Sequence, residues 1–153
     1  MSHYLTVAIM PDGVTSYAEA RGVVQQILEP HCEMDGDNED GVWDWYQVGG
    51  RWTGFYSEYD PEDDPRNVDN ATGYNAERTG RKIKWPTQWK EFEGDLIPVS
   101  YILNIRKFPV YVFLPDGRRV GHWDDEREEN QQAVEVALLD AKDKLALVVD
   151  IHS

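Results

Sequence analysis

The sequence predicts an α+β fold of the ferredoxin-like type, in which two helices cover one face of an antiparallel sheet. The order of the predicted elements leads to the fold class, and the length of the chain leads to the number of domains. Short β-branched or apolar runs and helix-period patterns follow one another in the order strand, helix, strands, helix, strand. The chain has 153 residues, enough to bury a real core but few for two domains, so residues 1–153 are expected to form a single domain.

Local signals mark the first strand and the first helix. Residues 3–10 read HYLTVAIM and are followed by the turn residues Pro-Asp-Gly, which favours an opening strand. Ser16 and Glu19 have capping-box spacing, and apolar residues then recur at helical intervals until Pro30. A helix is therefore predicted between Ser16 and Pro30.

Strand-like patterns return near residue 96. Residues 96–105, LIPVSYILNI, are predicted to form a strand in spite of Pro98 near its start. Residues 109–114 and 118–123 flank a Pro-Asp-Gly turn, which indicates a β-hairpin.

The last part of the chain predicts a second helix and a final strand. Asp124 or Asp125 can cap the helix, whose first turn is acidic and whose last turn carries Lys142 and Lys144, in agreement with the helix dipole. The apolar run LALVVDI at 145–151 then indicates a strand that is buried on both faces.

A long aromatic and acidic insertion, at about residues 30–95, is expected after the first helix. It contains WDWYQVGGRWTGFY at 43–56. Two runs separated by Gly-Gly predict a two-residue hairpin with a type I′ turn, which would place Trp45 opposite Gly54 and Gln47 opposite Trp52. Two interpretations stay open: the tryptophans form a small core that joins the insertion to the sheet, or some of them line a pocket.

The pocket interpretation suits a nucleotide-like ligand. Aromatic walls stack on planar rings, an arginine beside them can bind a phosphate or carboxylate through two hydrogen bonds, and an amide with a carboxylate can bind base edges or sugar hydroxyls. The candidate ligand-binding residues are Asp44, Trp45, Gln47, Arg51 and Trp52.

Composition limits the classes of partner. The chain has 29 acidic and 15 basic residues, a net charge of −14, which disfavours direct nucleic-acid binding and binding to anionic membranes. There is no apolar run long enough to span a membrane and no signal peptide pattern, and Cys32 is the single cysteine. These features predict a cytoplasmic protein, and leave its oligomeric state open.

No enzyme motif is found, so catalysis is a minority interpretation, and no catalytic residue, cofactor or metal ligand is assigned. The carboxylates that follow Asp35 resemble a calcium loop, but the register lacks the glycine and glutamate that such a loop requires. The four histidines lack metal-ligand spacing, although His3 and His152 would be close if the first and last strands are neighbours.

The string W-D-W-Y-Q-V-G-G-R-W resembles a motif, W-D-W-[YW]-x-[VI]-G-G-R-W, of a family of bacteriophage and actinobacterial proteins without an assigned function. The resemblance implies a phage or prophage accessory gene and no particular activity. This chain departs from it by placing Arg-Arg-Val-Gly before the His-Trp pair. Outside the string and the opening strand, the resemblance covers Asp116, Gly117, His122, Trp123, Asp150 and His152.

Charge and provenance together predict a binding function. The acidic loops 33–40 and 58–64, with the aromatic hairpin, are expected to dock on a basic site of a host protein and to inhibit it by nucleic-acid mimicry. Glu62, Asp63 and Asp64 are the candidate partner-binding residues. The alternative is a protein that binds or processes a nucleotide-like small molecule.

Overall fold

The structure is a computed structural model that describes residues 2–52, 55–56, 95–123 and 127–153. Within these residues the chain forms six strands and three α-helices, together with short 3-10 turns. In chain order the elements are β1 (His3–Ile9), α1 (Tyr17–Leu28), β2 (Trp45–Val48), β3 (Leu96–Pro98), α2 (Val99–Ile105), β4 (Tyr111–Phe113), β5 (Arg119–Val120), α3 (Arg127–Asp140) and β6 (Leu145–His152).

The described strands form one open mixed sheet with the order β2-β6-β1-β4-β5, and β3 also pairs with β6. Strand β6 is antiparallel to β1, β2 and β3. Strands β1 and β4 are parallel, so the sheet is not the antiparallel one that the sequence predicts. The α+β class is confirmed, and the ferredoxin-like arrangement in particular is not.

Helices cover both faces of this sheet. The Val24 and Leu28 side chains of α1 pack with Ala8 and Leu147 on one face. The Val134 side chain of α3 belongs to a second core cluster on the opposite face, where α2 also packs. The two predicted helices, α1 and α3, therefore lie on opposite faces, and their predicted placement on one face is wrong. Strand β6 is buried on both faces, as its apolar sequence predicts.

The elements with strong local signals form as predicted. Ser16 caps α1, and its side-chain oxygen accepts a 3.2 Å hydrogen bond from the backbone N–H of Glu19. Strands β4 and β5 form the predicted hairpin around Pro-Asp-Gly, in which Gly117 has a φ of 90°. The candidate caps Asp124 and Asp125 of the last helix lie outside the described residues.

The predicted strand at 96–105 is wrong over most of its length. Only Leu96–Pro98 is extended, and Val99–Ile105 is a helix that buries Val99 and Ile102, three residues apart. Pro98 is the N-cap residue, a position compatible with its fixed φ and its missing N–H. The helix ends at Arg106, which has a left-handed conformation with φ of 58°.

The described part of the predicted insertion consists of the 3-10 turns, β2 and the residues around them, and the segments 53–54 and 57–94 lie outside the described residues. Among the helices that the structure describes, none has the length and hydrophobicity that crossing a membrane requires.

Candidate functional site

Three strands bring residues from both ends of the chain together at one end of the sheet. His152 of β6 is directly opposite His3 of β1 and Trp45 of β2. Asp150, two positions earlier on β6, lies on the same face because side chains alternate along a strand. With Asp44, which precedes β2, these residues form what we call the strand-end cluster: His3, Asp44, Trp45, Asp150 and His152.

Asp150 is the buried acid of this cluster, with 1% of its surface exposed. Its carboxylate contacts Nδ1 of His3 at 2.9 and 3.0 Å and accepts a 2.9 Å hydrogen bond from the backbone N–H of Arg51. Since a carboxylate only accepts, Nδ1 of His3 is the donor in this pair. A buried charge in a protein needs such partners, and Asp150 has one on β1 and one in the turn that follows β2.

Gly50 of the Gly-Gly pair lies directly against Asp150, next to the hydrogen bond between Arg51 and Asp150. Gly49 and Gly50 both have positive φ, 71° and 54°, as a type I′ turn would require. The chain then forms a 3-10 turn at Gly50–Trp52 and not a second strand, so the predicted pairing of Gln47 with Trp52 is wrong. Gly54, the predicted partner of Trp45, lies outside the described residues, and the described partner of β2 is β6. A Cβ atom on Gly50 would lie 2.6 Å from Cβ of Asp150, which is closer than real carbon atoms approach.

His152 is hydrogen-bonded to Asp44, the second acid of the cluster. Its Nδ1 donates to Oδ1 of Asp44 at 2.7 Å, and the Asp44 side chain is 49% exposed. The imidazole of His152 lies edge-on to that of His3, with ring centroids 5.1 Å apart. Trp45 is 47% exposed. Its ring lies edge-on to the imidazoles of His3 and His152, with ring centroids 6.3 Å and 6.2 Å apart.

The tryptophans of the motif divide between packing and exposure. Trp43 donates from Nε1 to the Leu28 carbonyl oxygen at 2.9 Å and contacts Tyr46. Trp52 packs on the hydrophobic cluster of α2 and α3 and lies edge-on to Phe55. Only Trp45 among these three is exposed. Packing thus accounts for Trp43 and Trp52, and the pocket interpretation stays a prediction.

The predicted ligand-binding residues are partly brought together. Trp45 and Gln47 are exposed on the same face of β2, as their alternation requires. Asp44 contacts this group through His152, and the Arg51 side chain is exposed. Trp52 is half-buried against the core. The predicted partner-binding residues Glu62, Asp63 and Asp64 lie outside the described residues.

Burial also changes the chemistry of one phenol of the motif. Desolvation raises the pKa of Tyr46 above its usual value, although the charge of Arg21 acts in the opposite direction. Tyr46 lies on the face of β2 opposite to Trp45, where it packs beside Trp43. This tyrosine is therefore a structural residue and stays protonated near neutral pH.

An acidic cleft of about 210 Å³ lies beside the strand-end cluster. Its wall includes Ser153, whose hydroxyl donates to Glu33 at 2.6 Å. Trp123, 60% exposed, and His122 stack at its edge. The sequence shows no signal for this cleft, because its walls come from distant segments. Its lining residues are Glu33, Glu39, Asp40, Gly41, Val42, Tyr111, Arg119, His122, Trp123 and Ser153.

From the sequence, His3 and His152 are expected to be close only if the first and last strands are neighbours, and no role is predicted for them or for Asp150. The register of β6 supplies this condition, with His3 opposite His152. Comparison of the chain with protein-family models, with curated proteins and with solved structures found no match.

Proposed function

We propose that this protein acts by binding, and that it docks an acidic and aromatic face on a basic surface of a host protein. The observation that supports this proposal most is the charge of one described segment. Residues 29–44, which we call the acidic segment, contain seven Asp or Glu residues and no Lys or Arg. Of their side chains, Asp37, Glu39, Asp40 and Asp44 are exposed, so the charge faces solvent.

Large exposed apolar side chains lie in and next to the acidic segment. Met34 is 60% exposed within it, Trp45 follows it directly, and Trp123 stands at the edge of the acidic cleft. Exposed Trp and Met side chains are typical anchors of protein interfaces. Indole rings beside carboxylates suit an Arg- or Lys-rich surface, because a guanidinium can stack on the ring while it pairs with the acid.

A host inhibitor is the most economical role for such a face. Carboxylates spaced along a surface compete with phosphates for the same basic site and raise the rate of association at low salt. The resemblance of the motif to phage proteins supports a host target in the bacterial cytoplasm. The predicted partner-binding residues Glu62, Asp63 and Asp64 belong to the same proposal and extend the acidic charge along the chain.

Native mass spectrometry after incubation with bacterial host lysate identifies the partner, and binding kinetics then test the mechanism. Glu39→Gln with Asp40→Asn removes two charges from the acidic cleft. We expect it to slow association at least tenfold and to flatten the salt dependence. Asp140→Asn with Asp143→Asn removes two exposed charges at the far end of α3 and serves as the matched control. Equal effects of the two double variants, or the absence of any macromolecular adduct, would refute the proposal.

The half-exposed indole of Trp45 favours a second candidate, a protein that binds or processes a nucleotide-like small molecule. Its ring borders two imidazoles and shares a face of β2 with Gln47. Arg51→Ala keeps the backbone N–H that binds Asp150 and removes only the guanidinium. An adduct of low mass that is lost in Arg51→Ala, in a protein that remains folded, would support this candidate over the docking face.

A further inference from the structure

We propose that His3 and His152 form a binding site for a divalent transition-metal ion of the zinc type. The two imidazoles belong to directly paired residues of β1 and β6, and their ring centroids are 5.1 Å apart. Their side chains are partly accessible, with 30% and 16% of their surface exposed. This proposal does not rest on the proposed docking function, although Asp44 belongs to the acidic segment as well.

Both histidines carry the arrangement that metal-ligating histidines usually have. Nδ1 of His3 is bound to Asp150 and Nδ1 of His152 is bound to Asp44. A carboxylate that accepts from Nδ1 fixes the tautomer in which Nε2 has a free lone pair. Metal-ligating histidines almost always donate their other ring N–H to a carboxylate or carbonyl group, which also makes them stronger ligands. Each of these imidazoles has its own carboxylate.

The separation of the rings fits one shared ion. A zinc–nitrogen bond of about 2.0 Å places the metal roughly 3.2 Å from the centroid of each ring. At a tetrahedral angle, two such rings have centroids about 5.2 Å apart. The separation of 5.1 Å between the ring centroids of His3 and His152 agrees with this value, so the distance between the two rings is compatible with one shared ion.

The ligand set points to a borderline metal and an open coordination sphere. Imidazole nitrogens favour Zn²⁺ and Co²⁺, whereas Mg²⁺ and Ca²⁺ favour oxygen ligands. Among the described residues, no group of three or more His, Cys, Asp or Glu side chains could hold a metal ion. The ion therefore has two protein ligands among the described residues, and its further positions are open to water or to an exogenous ligand.

Calorimetry with Zn²⁺ tests the site on tag-free protein, with excess Mg²⁺ to occupy nonspecific carboxylates. We expect one ion for each chain and at least a tenfold loss of affinity in His152→Ala and in His3→Ala. His122→Ala, which removes an imidazole at the acidic cleft, is expected to bind as the wild type does.

The carboxylate of Asp44 gives a sharper test of the geometry. Asp44→Ala removes the partner of His152 and is expected to lower the Zn²⁺ affinity by about 10- to 100-fold. Asp40→Ala removes an equal charge from the acidic segment and is expected to lower it less than threefold. If both variants bind equally, only the general negative charge attracts the ion, and the proposed site is wrong.

Trp45 provides an optical readout, because its ring lies about 6 Å from both imidazoles. Co²⁺ at the site is expected to quench its fluorescence, and Trp45→Phe is expected to lose most of the quenching while it keeps the calorimetric affinity. An unchanged Co²⁺ response in His152→Ala, or wild-type protein that binds no Zn²⁺, would overturn the proposal.

Discussion

The backbone N–H of Arg51 donates a 2.9 Å hydrogen bond to the carboxylate of Asp150, a residue 99 positions further along the chain. The same carboxylate accepts from His3, near the other end of the chain. One buried side chain thus joins the Gly-Gly turn, the first strand and the last strand. The site and the stability of this end of the sheet depend on the same residue.

Asp150→Ala is expected to lower the free energy of unfolding by about 2–3 kcal/mol, because it removes the buried acceptor of two hydrogen bonds, from the part-buried N–H of Arg51 and from His3. Asp44→Ala is the comparison, since its half-exposed carboxylate pairs with His152 near solvent, and we expect a loss below about 1 kcal/mol. Urea denaturation followed by far-UV circular dichroism measures both. Equal losses would mean that the burial of Asp150 does not govern its contribution.

Gly50→Ala is expected to destabilise the protein by at least about 2 kcal/mol. The new methyl group would meet Cβ of Asp150 at 2.6 Å, and a left-handed backbone adds about 1–2 kcal/mol for any residue with a Cβ atom.

The control for this variant is Gly22→Ala, on the exposed side of α1, where a Cβ atom would have no neighbour within 4 Å. It is expected to raise the free energy of unfolding by about 0.5–1 kcal/mol, since alanine favours the helix. If Gly50→Ala is as stable as the wild type, the close approach of the turn to β6 is incorrect.

Tyr56→Phe is expected to make the protein less sensitive to alkaline pH. Tyr56 is 3% exposed, and its hydroxyl has no hydrogen-bond partner among the residues that the structure describes. Burial raises the pKa of this phenol above its ordinary value of 10.0, so the folded protein keeps a proton that the unfolded chain releases. The free energy of unfolding of the wild type therefore falls as the pH rises above 10.0.

Unfolding curves of both proteins between neutral and alkaline pH measure this difference. At neutral pH we expect the two proteins to agree within about 1 kcal/mol, since the substitution removes no hydrogen bond within the described residues. An equal alkaline loss in Tyr56→Phe would show that other groups cause it.

Lys144→Met is expected to raise the pKa of Asp12. The Lys144 ammonium group hydrogen-bonds to Asp12 at 2.9 Å and lowers the pKa of this carboxyl below its ordinary value of 3.8, with its charge acting in the same direction. Asp116 serves as an internal control, because its lowered pKa results first from the backbone N–H of Arg118. NMR titration of the side-chain carboxyl carbons measures the pKa values of Asp12 and Asp116. If Lys144→Met changes both pKa values or neither, Lys144 is not the specific cause of the lowered pKa of Asp12.

Elements that depend on neighbours in the sequence could be predicted, and those that depend on tertiary pairing could not. The Ser16 cap and the Pro-Asp-Gly hairpin use contacts within a few residues. The apolar run at 96–105 is compatible with a strand or a helix, and its packing against α3 decides for a helix after Pro98.

The Gly-Gly turn shows the same limit at the candidate site. A local rule predicts that β2 pairs with the residues just after the turn, but its partner is β6, about a hundred residues away. The positive φ of both glycines follows from the local sequence, while the clash that requires Gly50 involves Asp150. The exposed Trp45 could not be distinguished from the packed Trp43 and Trp52 for the same reason, since burial depends on which strand lies alongside.

The pairing of β1 with β6 also places Ser2 beside Ser153. Ser2 and Ser153 exchange both backbone hydrogen bonds, at 2.9 and 3.1 Å, so a short turn could join them as it joins any two antiparallel strands. A circular permutant with this junction and with new termini at the exposed tip of the β4–β5 hairpin would keep the strand pairings that the structure describes. In such a molecule His3 and His152 would be neighbours on one hairpin, and the contacts of His3 with Asp150 and His152 would be local ones.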